Sequence, residues 1–406
     1  MSKPSEAGSD QAPERSTLCA RPGELPRSVT RPLAHPIQPS SVYRVDSLDQ
    51  IDALYSGQES GYFYARDGHP NAEHLAATLA RLEGATVGLI CASGMAAEAS
   101  LFLHALAPGA TIALSDGLYG KSVRLVEDHL GRWGVKARTF DPTQRETLAE
   151  VLATSDDCRV VFVETISNPL VRVADLEGLA AAISASRSNA ALVVDNTFAP
   201  YICRPMEWGA TAVTHSLTKL IGGHSDVTLG FLGGSEATVS GARACLSAFG
   251  MNGSPFDCWL AHRGLATLPV RSDRACATAN ELASRLATSP AVQAVNYPGR
   301  PDHPDHARAG RLLSGGYGAM MSIDLTTRAR ADQFIRRLEG QIPFAPSLGD
   351  VATTLSHPAT TSHRGQSPEQ WARQGITPGL IRLSIGLEDV RDLWHELSGA
   401  LQALDA

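Results

Sequence analysis

The sequence lacks most of what would send a chain to a membrane, a nucleic acid or the cell exterior. No apolar stretch approaches the about 18 residues that a spanning helix needs, and the mean hydropathy is −0.09. A membrane protein is therefore excluded. No block of like charge occurs: 35 basic residues face 42 acidic ones in 406 residues, for a formal net charge of −7, which leaves no electrostatic footprint for nucleic acid. Cysteine is sparse and odd in number, with seven residues at 19, 91, 158, 203, 245, 258 and 276 and no Cys-x-x-Cys spacing. That excludes a disulfide framework and a zinc cluster, and reads as reduced cytosolic thiols, mostly in a core. The first fifteen residues are rich in Ser, Pro, Glu, Gly and Asp without an apolar h-region, which argues against a secretory signal and for a polar tail leading into an extended arm. No internal repeat, low-complexity segment or Gly-x-Gly-x-x-Gly dinucleotide loop is present. What remains is a cytoplasmic chain of more than one packed unit, with small molecules as partners.

What is there is regular from about Asn71 onward. Leu75, Leu79 and Leu82 recur at helical spacing, and Val87 to Ala92 is a short, nearly continuous apolar run of the kind a buried parallel strand shows. Thr111 to Leu114, Val135 to Thr139, Val160 to Val163, Ala191 to Val194, Ala212 to Val213 and Val227 to Leu232 read as further strands, with helical patterns between most of them. This alternation predicts an α/β domain with helices on both faces of a mostly parallel, seven-stranded sheet. After about Pro255 helical spacing runs through Trp259 to Leu268 and on to Leu286. A Pro- and His-rich loop from Pro298 to His306 follows, then short strands near Ala319 to Leu325 and Leu380 to Ser384, a smaller α+β domain.

Open parallel sheets bind ligands beyond the carboxyl ends of their strands. There the runs end in Ser93-Gly94-Met95, Ser115-Asp116, Glu164, Asp195-Asn196-Thr197 and His215-Ser216. Lys219 follows one strand and Asp195 closes another. Pyridoxal phosphate chemistry needs this pair: an amine to hold the aldehyde and a carboxylate to keep the pyridine nitrogen protonated. Ser93-Gly94-Met95 opens a helix directly after a strand, where free amides and the helix dipole suit the phosphate. Ser216 and Thr218 add hydroxyls, and Tyr119 is placed to stack on the ring.

These residues carry a resemblance. Val194-Asp195-Asn196-Thr197-Phe198, His215-Ser216-Leu217-Thr218-Lys219 and Gly223-His224-Ser225-Asp226-Val227 resemble the signature of the Cys/Met-metabolism family of pyridoxal-phosphate enzymes. Tyr64-Ala65-Arg66, Ala92 to Ala97, Leu118-Tyr119-Gly120, Val163 to Pro169, Ser254 to Asp257, Ser347-Leu348-Gly349 and Ile381 to Ser384 extend it over about residues 30 to 400. The resemblance implies an aspartate-aminotransferase-like (fold type I) large domain plus the smaller α+β C-terminal domain. The division it suggests is a tail and subunit-crossing arm over 1–60, a cofactor domain over 61–255 and a C-terminal domain over 256–406.

It further implies that Lys219 holds the cofactor and shuttles protons, Asp195 pairs with the ring nitrogen, and Tyr119 stacks on the ring and assists proton transfer. Gly94, Met95, Ser216 and Thr218 hold the phosphate, Asn168 meets the phenolic oxygen, and Ser347 with Arg382 binds the substrate α-carboxylate. Tyr64 and Arg66 reach the phosphate of a neighbouring subunit, so a homotetramer with shared sites is expected. The implied activity is γ-elimination or γ-replacement on a sulfur amino acid or activated homoserine. Cystathionine γ-synthase or γ-lyase chemistry is the first expectation, and methionine γ-lyase or O-acylhomoserine sulfhydrylase the alternative. Two departures bear on substrate: Lys121 stands where methionine γ-lyases carry cysteine, and Pro346 where several cystathionine-handling members carry glutamate. Remote alternatives are a serine hydrolase, since Gly223-His224-Ser225-Asp226-Val227 half-matches a nucleophile elbow, and a non-catalytic binding protein.

Overall fold

The computed structural model describes residues 29–404, so the expected polar tail and Cys19 lie outside the described residues. The chain divides into Met1–Pro36, whose described part shows only bends and irregular backbone, and Ile37–Ala406, which carries everything below. In the latter, a first helix, Leu48–Tyr55, starts at Ser47, whose side chain accepts the Gln50 N–H. None of its residues is buried, and Val42, Leu48 and Tyr55 are exposed.

The Leu75/Leu79/Leu82 pattern lies in helix Pro70–Glu83. His69 caps it by accepting the Ala72 N–H, Pro70 occupies the first turn, and Gly84 ends it in the left-handed conformation. All seven expected strands form: β1 Val87–Cys91, β2 Thr111–Ser115, β3 Lys136–Phe140, β4 Cys158–Glu164, β5 Ala191–Asp195, β6 Ala212–Ser216 and β7 Gly230–Gly234. They lie in the order β1-β7-β6-β5-β4-β2-β3. β3, β2, β4, β5 and β6 are parallel in sequence of contact, and β7 runs antiparallel between β6 and β1.

The period of two decides the packing. Val160 and Phe162 of β4 join Phe102, Leu101 and Ile112 on one face, whereas Val161 and Val163 join Leu148, Leu176 and Val194 on the other. β3 is one of the two edge strands, and its exposed Lys136 discourages further pairing. β7 begins later than its apolar run because Leu229 is already engaged: its N–H goes to the Thr218 hydroxyl and its carbonyl accepts from Leu217.

A second sheet of four antiparallel strands has the order β10-β11-β9-β8: β8 Ala294–Asn296, β9 Met320–Asp324, β10 Thr354–Ser356 and β11 Leu380–Ser384. Helices Leu268–Leu286, Arg328–Arg337 and Val390–Gln402 cover it, burying Leu282, Phe334 and Leu397 against Ile323 and Ile381. β9 and β11 were expected from their apolar runs. β8 and β10, at three residues each, are too short to show a period. The apparent continuous helical pattern from Trp259 to Leu286 is two helices, Pro255–Leu265 and Leu268–Leu286. Of the cysteines, 91, 158, 203, 258 and 276 are buried free thiols and Cys245 is partly buried.

Candidate active site

At the carboxyl ends of β4, β5 and β6 the polar residues converge on a cavity of about 700 Å³. Ser93, Gly94, Met95, Tyr119, Asn168, Asp195, Ser216, Thr218, Lys219, Ser347 and Arg382 all line it. Ten of the twelve residues singled out from the sequence are thus brought together. Tyr64 and Arg66 are not: they lie outside its lining, with Tyr64 half exposed and the Arg66 guanidinium 5.3 Å from the Tyr64 ring centre.

The anion cradle follows from local folding. Ser93 caps helix Gly94–Ala105 by accepting the Ala96 N–H, and the first intrahelical bond runs from Ala97 N–H to Ser93 C=O. The Gly94 and Met95 amides precede that bond and face an incoming anion with the helix dipole behind them. Gly230 at the start of β7 lets the loop approach, because a Cβ there would sit 2.1 Å from the Ser93 carbonyl oxygen. Ser216 is oriented by its N–H, which donates to Thr197 Oγ1 at 2.8 Å. Thr218 uses its oxygen to accept the Leu229 N–H.

Lys219 follows β6 and donates from Nζ to Ser347 Oγ at 3.0 Å. Burial and the nearby Arg382 cation push its amine below the ordinary lysine value. Arg382, on β11, is 4% exposed; it donates to Asn168 Oδ1 and to the Ser347 carbonyl, both at 2.9 Å. Its Nε is buried without a partner, and burial pulls the guanidinium down to about 10, so it stays charged at neutral pH. A carboxylate would complete it.

Asp195 ends β5, with Oδ1 accepting the Thr197 N–H at 2.8 Å. Burial raises its pKa, opposed by the Thr197 bonds and by His215. Beneath it, His215 Nε2 meets Glu83 Oε1 at 2.8 Å, both side chains fully buried, and Asn196 donates to the same carboxylate.

Two further carboxyls line the cavity, Glu98 and Glu164. Glu164 accepts the Tyr119 N–H at 2.8 Å and is pushed up to about 8 by burial and by the Asp195 charge. Glu98 accepts from Ser122 Oγ at 3.0 Å and is raised well above the usual carboxyl range by burial and Asp195. Each keeps a buried Oε2 with no partner. Burial and then the Glu98 charge raise the half-buried Tyr119 phenol.

Three carboxyls, those of Asp195, Glu98 and Glu164, with no lysine or arginine paired to them among the described residues, suit a ligand with a cationic ring nitrogen. The amide cradle at Gly94 and Met95 suits its phosphate, and the depressed Lys219 amine suits its aldehyde. The donor set fits pyridoxal phosphate.

Sequence reasoning did not single out Glu98, Thr360, Thr361, Ser362 or Arg364 as lining residues. Glu98 had a signal: it is the one acid in the apolar helix Gly94–Ala105, one turn past the cradle. Arg364 had none, being in a loop far along the chain. The hydrolase alternative loses its geometry here. Ser225 Oγ donates to Asp350 Oδ2 at 2.5 Å, and the His224 ring is bonded to the Gly222 carbonyl, so no histidine is set to activate that serine.

A family model described as "Cys/Met metabolism PLP-dependent enzyme" matches residues 16–402. The chain is 35% identical over 399 residues to an L-methionine gamma-lyase from Pseudomonas putida, covering 98% of this chain and 99% of that one. It is 36% identical over 372 residues to a cystathionine beta-lyase from Bacillus subtilis, covering 91% of each. A crystal structure of cystathionine gamma synthase from Xanthomonas oryzae pv. oryzae in complex with cystathionine superimposes with a TM-score of 0.86 at 36% identity, over 92% of this chain and 94% of that one. The fold is that of the type I pyridoxal-phosphate enzymes. With a whole-chain match and a lysine, carboxylate and anion cradle in one cavity, this chain belongs to the Cys/Met-metabolism family of pyridoxal-phosphate-dependent enzymes.

Proposed function

We propose that the enzyme carries out γ-elimination or γ-replacement on a sulfur amino acid or an activated homoserine, with cystathionine chemistry foremost. The observation that carries it is the joint placement of Lys219, Asp195, Asn168, Ser347 and Arg382 on one cavity. Pyridoxal phosphate, when bound, supplies the electron sink that lets carbanionic character develop at the substrate Cα.

Each role rests on a contact. The Gly94 and Met95 amides with the Ser216 and Thr218 hydroxyls hold the phosphate. Asp195 holds the ring nitrogen's proton, and Tyr119 covers the ring face. Asn168 serves the phenolic oxygen while its Oδ1 steadies Arg382. Arg382 grips the α-carboxylate beside Ser347, which brings the Cα proton toward Lys219. Lys219, neutral more readily than a free lysine, would then take that proton, and a second proton would be removed from Cβ as the γ-substituent leaves with the Cγ bonding pair. Burial within the cavity walls keeps bulk water from competing for it.

Tyr64 and Arg66 serve the phosphate of a neighbouring chain in a cytoplasmic homotetramer. Their position outside this chain's own cavity supports that role, as do the exposed Val42, Leu48 and Tyr55 in the preceding segment. Partners are amino acids, and neither nucleic acid nor membrane; no described helix is long and apolar enough to cross a bilayer.

The deciding experiment incubates the holoenzyme with cystathionine, methionine, and O-acetyl- and O-succinylhomoserine, with and without cysteine or sulfide. Release of 2-oxobutyrate without added thiol marks elimination, and cystathionine or homocysteine formed from the esters marks replacement. Pyruvate from cystathionine would place the chemistry at Cβ instead, and turnover of none would end the γ-carbon proposal. Lys219→Ala should abolish the visible absorbance of the covalently held cofactor. Mixing inactive Lys219→Ala and Arg66→Ala chains should restore activity if sites are shared, and leave it absent if they are not.

A further inference from the structure

Charge accounting in the cavity leaves two cations over. In the function proposed above, on which this inference rests, Lys219 is committed to the cofactor aldehyde and Arg382 to the α-carboxylate. The phosphate is met by amides and hydroxyls and by Tyr64 and Arg66 of a neighbouring chain. Lys121 and Arg364 remain, both lining the cavity and both exposed. Neither side chain has a hydrogen bond or ion pair among the described residues.

The two belong to neighbouring loops. A Cβ placed on Gly120 would lie 3.2 Å from the Ser362 carbonyl oxygen, so the backbone next to Lys121 touches the backbone two residues before Arg364. Thr360, Thr361, Ser362 and Pro346, which line the same cavity, are neutral. The three acidic lining residues, Glu98, Glu164 and Asp195, gather instead around Tyr119 and the ring-nitrogen position. The cavity is therefore polar in sense, with acids at the cofactor and uncompensated cations at the mouth. Two unpaired cations on adjoining loops of one cavity attract an anion and repel an ammonium.

We propose that Lys121 and Arg364 form a recognition site for a carboxylate at the far end of the substrate, so that the preferred substrate carries an anionic γ-substituent. A dicarboxylic half-ester of homoserine has that chemistry. A neutral acetyl ester or a methyl thioether does not. A guanidinium offers the carboxylate two parallel N–H donors, and the lysine adds a mobile point charge.

The test compares a matched pair of unreactive amino acids on the holoenzyme, L-2-aminosuberate with a distal carboxylate and L-2-aminooctanoate with a methyl in its place. Binding is read by calorimetry and by perturbation of the cofactor's visible band. Aminosuberate should bind about tenfold tighter at low salt, with the gap closing as ionic strength rises. Lys121→Met and Arg364→Met should each weaken aminosuberate severalfold and leave aminooctanoate within about twofold. Lys121→Glu should invert the preference. In turnover, kcat/KM should favour O-succinyl- over O-acetylhomoserine, and the same variants should erase the difference through KM.

Equal binding of the two amino acids, or variants that weaken both alike, would overturn the recognition site while the cofactor band still stands. Absence of the band, or failure of both amino acids to bind a coloured enzyme, would defeat the underlying function and this inference with it.

Discussion

The Lys219 ammonium donates a hydrogen bond of 3.0 Å to the Ser347 hydroxyl across 128 residues of chain. The bond ties the end of β6 to the segment preceding β10. It thereby places the Lys219 amine near the Arg382 guanidinium, since the Ser347 carbonyl also accepts from Arg382. One residue thus registers the Lys219 amine with the Arg382 guanidinium, the pair to which the proposed function gives proton transfer and substrate holding.

That geometry predicts a pH signature. Burial and Arg382 both lower the Lys219 pKa, so in cofactor-free protein the rate of capture by pyridoxal phosphate with borohydride trapping should have its midpoint below the ordinary lysine value. Arg382→Leu removes the second cause and leaves the first. The midpoint should move up while remaining below that of a free lysine; a fixed or lower midpoint would show that Arg382 does not act on the amine.

Stability of the cofactor-free protein should fall with rising pH through Glu164. Its carboxyl moves from the reference value of 4.5 to about 8 in the fold, so between those values the folded state binds the proton more tightly than the unfolded state. The contribution is fully present below about 4.5 and is lost as pH rises through about 8. Glu164→Gln keeps the acceptor for the Tyr119 N–H and cannot ionise. Thermal unfolding across pH 5 to 9 should therefore give a flatter profile for the variant, and equal slopes would refute the assignment.

Gly349 is needed twice over. Its φ is +81°, and a Cβ there would lie 2.5 Å from the Leu220 backbone nitrogen. Gly349→Ala must push the Ser347 segment off Lys219, at a cost of about 1–3 kcal/mol in urea unfolding. Because that segment carries the substrate grip, KM should rise along with the stability loss. A variant with unchanged KM would uncouple the two.

The fully buried Glu83 and His215 pair supports the strand that bears Asp195. Glu83→Ala leaves His215 Nε2 without its partner, while Asn196 keeps its bond to the Cys203 carbonyl, and should cost about 1–3 kcal/mol, the range for a buried polar group left unpaired. Glu83→Gln keeps a hydrogen-bond acceptor and should cost less. Chemical denaturation of both variants checks the order; equal costs would mean that the hydrogen bond kept by glutamine does not stabilise His215.

How much of this was legible depends on range. β2, β4, β5 and β6 were readable because a strand buried on both faces must be apolar throughout, and their polar ends stood out against that run. The cradle at Ser93 to Met95 was readable because cap, glycine and helix start are contiguous. β8 and β10 were not, being short enough that only pairing to β9 and β11 makes them strands. Glu98 was visible as a lone acid in an apolar helix, but its approach to Asp195 comes from the packing of that helix on the sheet. Arg364 was silent, since a loop arginine looks alike whether it faces solvent or a cavity.

The sequence by itself determined the chemistry: a lysine and an aspartate at the ends of buried strands, with an anion-binding helix start, suffice for the cofactor because each is set by local backbone geometry. Only the tertiary structure decided what surrounds that chemistry. Side chains far apart in sequence, such as Lys219 and Ser347 or Asn168 and Arg382, meet because residues of the second sheet and its preceding segment line the same cavity as the strand ends. No local pattern encodes such meetings, for they depend on the loop closures that the two packed cores stabilise together.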